Sequence, residues 1–315
     1  MYDQETILKE IRTKWAGKTV HFAKETDSTN EWAKRLSQEG APHGTLAVAE
    51  FQSAGKGRLG RRWQAPEGSS VMMSLLLKPE FEPGYASMLT VVMGLSVAQA
   101  MQKTGIEVSI KWPNDVVMSR RKICGILTEM GLNGTKIREV VIGVGINVNL
   151  KEIPSELQDK ATSLYLETGK TYDRIQILAQ VLECFEENYE TFIRTCSLSG
   201  MVEEYNKLLA NRNQPVRILD PNQPWEGTAL GINEQGELLV KGRTGYNTDR
   251  PCRRGVGKRF VQLCVMLFSD AYRRDIFCKW YRDKSLLLTR YYSVRCFGMY
   301  CQNPQTYRAK CHHRE

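Results

Sequence analysis

Three β-rich segments follow one another at residues 107–111, 122–130 and 138–144, each bounded by turn signals such as Asn133-Gly134. Successive strands joined this way pair with one another in a mixed or antiparallel sheet, which argues against a doubly wound parallel sheet. The apolar stretch at residues 85–103 and the amphipathic one at 172–194 are long enough to be helices and must bury a face against that sheet. The expected class is therefore α+β.

Other local signals fit this frame. Residues 1–15 read as a polar amphipathic helix, 45–51 as a short strand and 71–77 as a buried strand. Asp27-Ser28-Thr29-Asn30-Glu31 opens a helix expected to run to about Gln38. Ser28 and Glu31 have the spacing of a capping box, and Gly40 stands where a left-handed residue ends a helix. A shorter helix is expected at 201–210. From Gln214 the pattern changes to short strands at 216–219, 225–232 and 237–240, the opening of a small β-barrel. The strands that should complete it do not follow Lys241.

The net charge of +9 points at first to nucleic acid or an acidic surface. Its distribution removes that inference. Residues 1–241 carry 28 basic and 30 acidic side chains, a net of −2, whereas residues 242–315 carry 16 and 5, a net of +11. Six of the nine cysteines also lie in the tail, with Cys124, Cys184 and Cys196 outside it. There is no secretory leader and no apolar run of about 20 residues, so a soluble cytoplasmic protein without membrane contact is expected. Cys124 shares no motif with His21 or His43 and reads as an apolar filler.

The segment Gly55-Lys56-Gly57-Arg58-Leu59-Gly60-Arg61-Arg62-Trp63 carries the clearest chemistry. Three glycines let the backbone close around a ligand. The cations Lys56, Arg58, Arg61 and Arg62 repel one another unless an anion sits among them. Trp63 offers a flat face suited to a purine, though core packing serves it equally well. Three further segments accompany this loop: Asp27-Ser28-Thr29-Asn30, Lys111-Trp112-Pro113-Asn114-Asp115 with Lys122 beyond it, and Gly143-Val144-Gly145-Ile146-Asn147-Val148. The last lacks the third glycine and the following helix of a dinucleotide fingerprint.

In order, spacing and residue identity, these four segments resemble the catalytic domain of biotin protein ligases over roughly residues 18–205. Residues 214–241 resemble the opening of the family's SH3-like C-terminal domain. The resemblance implies a class II synthetase-like biotin–lipoate ligase fold at residues 1–210, the start of the small barrel at 211–241, and an anomalous basic, cysteine-rich tail at 242–315. It implies activation of biotin with Mg2+ and ATP to biotinyl-5′-AMP, then transfer to a lysine of a biotin carboxyl carrier protein. By the same resemblance, Arg58 and Lys122 are the leading catalytic residues, with Lys111 serving the phosphates. Ser28, Thr29, Asn30 and Gln52 face biotin; Lys56 and Gly57 line its pocket. Asn114, Asp115, Gly125, Gly145 and Asn147 lie toward the nucleotide, with Trp63 on adenine. Ser28 is equally suited to capping its helix, and Asp115 to a structural turn. The magnesium ligands are left unassigned, and a homodimer is admitted.

Two departures stand out. Too little chain precedes Ser28 for the winged-helix DNA-binding domain of some members, so repressor activity and DNA binding are not expected. The tail lacks the Ala-Gly-Glu-Val-Ser-type closing motif. Codons for Cys252–Leu263 can be chosen so that a one-nucleotide shift reads Ala-Gly-Glu-Val-Ser-Val-Ser-Asp-Leu-Tyr-Asn. A frameshift between about Gly242 and Asp249 is the resulting expectation, against a genuine basic extension. The rival functions are a lipoate–protein ligase of the same superfamily and a non-catalytic nucleic-acid binder using the tail.

Overall fold

The computed structural model describes residues 2–218, 224–242 and 266–267. In chain order the elements are α1 (Gln4–Glu10), β1 (Val20–Thr26), α2 (Thr29–Gln38), β2 (Leu46–Gln52), β3 (Ser70–Leu77), α3 (Met88–Lys103), β4 (Ser109–Lys111), β5 (Asp115–Met118), β6 (Arg121–Asn133), β7 (Lys136–Asn147), α4 (Leu164–Thr168), α5 (Arg174–Ile193), α6 (Val202–Leu208), β8 (Pro215–Ile218), β9 (Trp225–Ile232), β10 (Leu238–Gly242) and β11 (Met266–Leu267). Seven strands form one sheet in the order β1-β2-β3-β7-β6-β5-β4. Only β1 and β2 run parallel, with α2 as their crossover; every other pair is antiparallel. The mixed α+β sheet is as expected. The small C-terminal domain is a four-stranded antiparallel sheet, ordered β10-β9-β8-β11. The frameshift expectation and most of the tail lie outside the described residues.

Strand alternation divides the sheet into two working faces. Leu75, Leu77, Val140, Ile142, Val144, Ile146, Ile123 and Ile126 belong to the main core with α3 and α5. β3 is buried along its whole length because helices cover both of its faces. On the other face α2 packs Ala33 and Leu36 against Ala47, Leu76 and Val141. That same face, further along β3, β6 and β7, carries Ser74, Gly125, Leu127, Gly143 and Gly145, cross-paired as Ser74↔Gly143, Leu127↔Gly143 and Gly125↔Gly145. The candidate site is built there.

Contrary to the expectation of no membrane-length apolar run, Pro83–Lys103 has the length and a mean hydropathy of 1.3 that could cross a bilayer. In this fold 83% of its most apolar window is buried between the sheet and α5, the place of a core helix. The two units join through Trp112, which is buried and donates its indole N–H to Gly236 O at 2.9 Å. Cys124 is likewise fully buried, and burial pushes its thiol well above the ordinary range.

Candidate active site

Ser28, Thr29 and Asn30 start α2 and are all buried. The Thr29 N–H donates to Gln52 Oε1 at 2.8 Å, which ties the helix start to the end of β2. Ser74, reaching up from β3, donates to Asn30 Oδ1 at 2.6 Å and lies 2.8 Å from Thr29 Oγ1. The Asn30 amide donates to Leu127 O at 3.2 Å and to Glu129 Oε2 at 2.7 Å, so both of its protons are spoken for and its orientation is set. A Cβ at Gly143 would collide with this amide. Ser74, Glu129 and Gly143 thus build the polar wall as much as the helix residues do.

The expected capping box does not form. Ser28 makes no side-chain cap, and its own N–H donates to Asp27 Oδ1 at 2.8 Å. Glu31 turns instead to Lys34 and Lys56, at 2.8 and 2.7 Å. A full cation attracts a carboxylate more strongly than a backbone N–H does. Ser28 instead borders the cavity described below.

The glycine-cation loop folds over this wall as a tight hairpin. Gly57 N–H donates to Arg61 O at 2.7 Å and Trp63 N–H to Gly55 O at 2.9 Å. A Cβ at Gly55 would run into Trp63 O, so that position demands glycine. The Trp63 indole lies on a floor made by Gly145 and Gly125, where added Cβ atoms would come within 2.5 and 3.4 Å of it. Lys122 Nζ sits 5.8 Å from the centre of that ring and 2.7 Å from Asp115 Oδ1. Arg58 Nη1 donates to Asn114 Oδ1 at 2.5 Å, and Asn114 Nδ2 donates to Ile126 O at 3.1 Å.

One cavity therefore gathers Ser28, Thr29, Asn30 and Gln52 from the wall. Lys56, Gly57, Arg58 and Trp63 from the loop border it too, as do Asn114, Lys122, Gly125 and Gly145 from the sheet and its hairpin. Its volume is about 50 Å³. Lys111, Asp115 and Asn147 do not line it. Lys111 stands opposite Asp115 on the outermost strand, and Asp115 reaches the site only through Lys122. Asn147 was expected to face ribose or adenine, but its amide donates to Thr162 O at 2.9 Å and ties the segment after β7 to the sheet. A larger cleft of about 520 Å³ lies at the far edge, between Gln102, Ser109, Arg120 and Gln214. It holds none of the expected residues, so size alone does not mark the site.

Comparison with known proteins identifies the family. The profile of the Biotin/lipoate A/B protein ligase family matches residues 22–147. That of the Biotin protein ligase C terminal domain matches 213–251, running ten residues past the boundary read from sequence. The bifunctional ligase/repressor BirA of Bacillus subtilis is 37% identical over 240 residues, covering 75% of this chain and 73% of that protein. The chain belongs to the biotin protein ligase family. Among its relatives, the biotin–[acetyl-CoA-carboxylase] ligase of Mycobacterium tuberculosis is 33% identical over 230 residues, covering 70% of this chain and 83% of that one. The biotin protein ligase of Aquifex aeolicus, solved with biotin and ATP, superposes with a TM-score of 0.62 at 38% identity, over 71% of this chain and 91% of its own.

Proposed function

We propose that the chain is a cytoplasmic ATP-dependent biotin–[biotin carboxyl-carrier protein] ligase, which charges one lysine of a biotin-dependent carboxylase. The observation that carries this reading is a single cavity bounded by two unlike sets of groups. One is a buried hydrogen-bonding wall of Ser28, Thr29, Asn30 and Gln52; the other is a set of cations, Lys56, Arg58 and Lys122. Biotin has one polar ureido edge on an apolar bicycle and a carboxylate at the end of its chain. The wall suits the first and the cations suit the second.

The first step requires a carboxylate oxygen to approach the α-phosphorus of ATP. Two unit charges about 3.3 Å apart repel by about 5 kcal/mol at an effective dielectric of about 20. Lys122 and Arg58 offset that repulsion by neutralising both partners. The carboxylate oxygen forms a bond to phosphorus and pyrophosphate leaves with the electrons of the broken P–O bond. In the second step a carrier lysine amine attacks the acyl carbon, loses its proton, and AMP departs. Positioning and exclusion of water are the protein's main contributions there.

Mg2+ suits this donor set when it arrives with the nucleotide. Among the described residues no three His, Cys, Asp or Glu side chains gather into a metal cage, and Mg2+ is commonly held by one or two carboxylates plus substrate phosphates. Held on the substrate phosphates, the ion would supply further neutralisation of their charge.

The test is to incubate the full chain with ATP, an apo carrier domain and either radiolabelled biotin or radiolabelled lipoate. Label on the carrier from biotin, with biotin-dependent exchange of pyrophosphate into ATP, is the expected result. Labelling by lipoate alone would overturn the assignment.

A further inference from the structure

Lys122 borders the cavity because β6 carries one extra residue. Val116 pairs with Cys124 and Val117 with Lys122, so one step along β5 spans two along β6, and Ile123 bulges. Side chains alternate between the faces of a regular strand, which would set Lys122 and Gly125, three residues apart, on opposite faces. The bulge adds a step and re-aims the side chain beyond it. Lys122 Nζ accordingly lies over Gly125, 2.6 Å from the place of a Cβ built on that glycine. A slip of one residue at this end of the hairpin would turn Lys122 to the other face.

The turn that fixes this register is not a favourable one. Met118 pairs with Arg121, leaving Ser119 and Arg120 as the two central residues, and both lie in the left-handed region at φ 49° and 65°. Two-residue turns of that kind favour Asn-Gly or Asp-Gly, and side chains at positive φ persist only where neighbours hold them. The neighbour here is Glu167, on α4. Its side chain is 7% exposed, and its carboxylate accepts the Arg121 guanidinium at 2.6 Å. Burial pushes this carboxyl up, but hydrogen bonds, foremost that from the Ser119 hydroxyl, and the charge of Arg121 bring it below the ordinary range. One ionised carboxylate thus holds the residues on either side of Arg120. The segment just before α4 holds the next residue: Lys122 N–H donates to Lys160 O at 2.8 Å, and Thr162 N–H donates to Lys122 O at 2.9 Å. The start of α4 is itself fixed, since the Ser163 hydroxyl donates to Leu150 O at 2.6 Å and accepts the Leu166 N–H at 3.0 Å.

We propose that Glu167 is a positioning residue for Lys122: by holding Arg121 and the Ser119–Arg120 turn, it pins the hairpin register beyond the Ile123 bulge and keeps the Lys122 amine at the cavity. The inference rests on the ligase reading for what that amine does. Glu167 is outside the set of residues that line the cavity, so its effect on the reaction passes through Lys122 and disappears when Lys122 is replaced. A general loss of structure slows the reaction whether Lys122 is present or not.

The test places Glu167→Gln in the full-length chain, alone and together with Lys122→Gln, and measures biotin-dependent exchange of pyrophosphate into ATP well below each variant's melting temperature. The Arg121 side chain left behind is 42% exposed and stays hydrated. Arg121→Gln, which breaks the same contact from its exposed side, is the second variant. Each is expected to slow exchange about tenfold when Lys122 is present, short of the roughly 10²-fold of a 1 Å misplacement. Combined with Lys122→Gln, each is expected to add less than about twofold. Acetylation of Lys122 by acetic anhydride, read by mass spectrometry against the exposed Lys136, is expected to run about two- to fivefold faster in both variants as the pairing with Asp115 weakens. Unchanged exchange in both variants overturns the proposal, as does equal slowing with and without Lys122, or unchanged acetylation of Lys122. If the wild type shows no biotin-dependent exchange, the ligase reading fails, while the acetylation rates still decide whether Glu167 places Lys122.

Discussion

Replacing Glu129 by alanine removes a carboxylate from a place where the groups left behind have few alternatives. The Glu129 side chain is 6% exposed and its partner Lys34 15% exposed, which places the pair in the buried regime rather than the surface one. Breaking such a pair by deleting one member commonly costs about 3–5 kcal/mol, because the other charge stays buried without compensation. Here Lys34 keeps Glu31 at 2.8 Å and the Asn30 amide keeps Leu127 O at 3.2 Å, which argues for the lower end, about 3 kcal/mol. For a domain of this size that corresponds to a fall in melting temperature of roughly 6–12 °C. Thermal unfolding at pH 7 followed by circular dichroism measures it. The double variant Glu129→Ala, Lys34→Met should recover part of the loss, because it removes the uncompensated charge as well. A loss below about 1 kcal/mol, or a double variant no better than the sum of the two single ones, would refute the reasoning.

Gly145→Ala places a methyl 2.5 Å from Trp63 Cε2 and must push the indole about 1 Å off the sheet; biotin-dependent pyrophosphate exchange should fall on the order of 100-fold while the melting temperature shifts by little, because Trp63 is not part of the main core. Lys122→Gln should slow the same exchange by about 10²–10³, as removal of one preorganised charge-stabilising donor does, with Lys122→Arg retaining part of the rate. His43 accepts the Lys78 N–H at Nδ1, at 3.0 Å, and packs on Trp15 and Tyr189. Burial lowers its pKa below 6.5. The unfolded chain then takes up a proton before the folded one, so the stability His43 confers is present above pH 6.5 and lost as pH falls through the lower folded value. Melting temperature measured between pH 7.5 and 5 should fall more steeply in wild type than in His43→Gln; parallel curves would exclude His43 as the source.

Strong periodicity and unusual composition made much of this legible in the sequence. The runs at 71–77, 85–103 and 172–194 became β3, α3 and α5 within a few residues of the expected bounds, because each buries a continuous apolar face. Twelve of the fifteen residues expected at the site do line one cavity. What stayed hidden depends on tertiary neighbours. β1 reads His-Phe-Ala-Lys-Glu-Thr after Val20, an edge strand with Lys24 and Glu25 exposed and no clean alternation, and β5 is only four residues long. Ser74 sits in a mostly apolar strand and reveals itself only when β3 is set beneath α2. Lys34 and Glu129 are 95 residues apart. The capping-box spacing at Ser28 and Glu31 misled because the motif assumes no stronger donor nearby, and Lys34 and Lys56 are stronger donors.

The indole of Trp112 ends on Gly236 O, in the turn between β9 and β10, while its backbone N–H donates to Asn211 Oδ1 just before β8. Two residues along the chain, Asn114 holds both Arg58 and the Ile126 carbonyl. The described residues of the C-terminal sheet supply no group to the cavity, yet the sheet is the abutment against which the hairpin bearing Asn114 is braced. Any loosening of that sheet is thus felt first as slack beneath Arg58, at the candidate site rather than in the sheet itself.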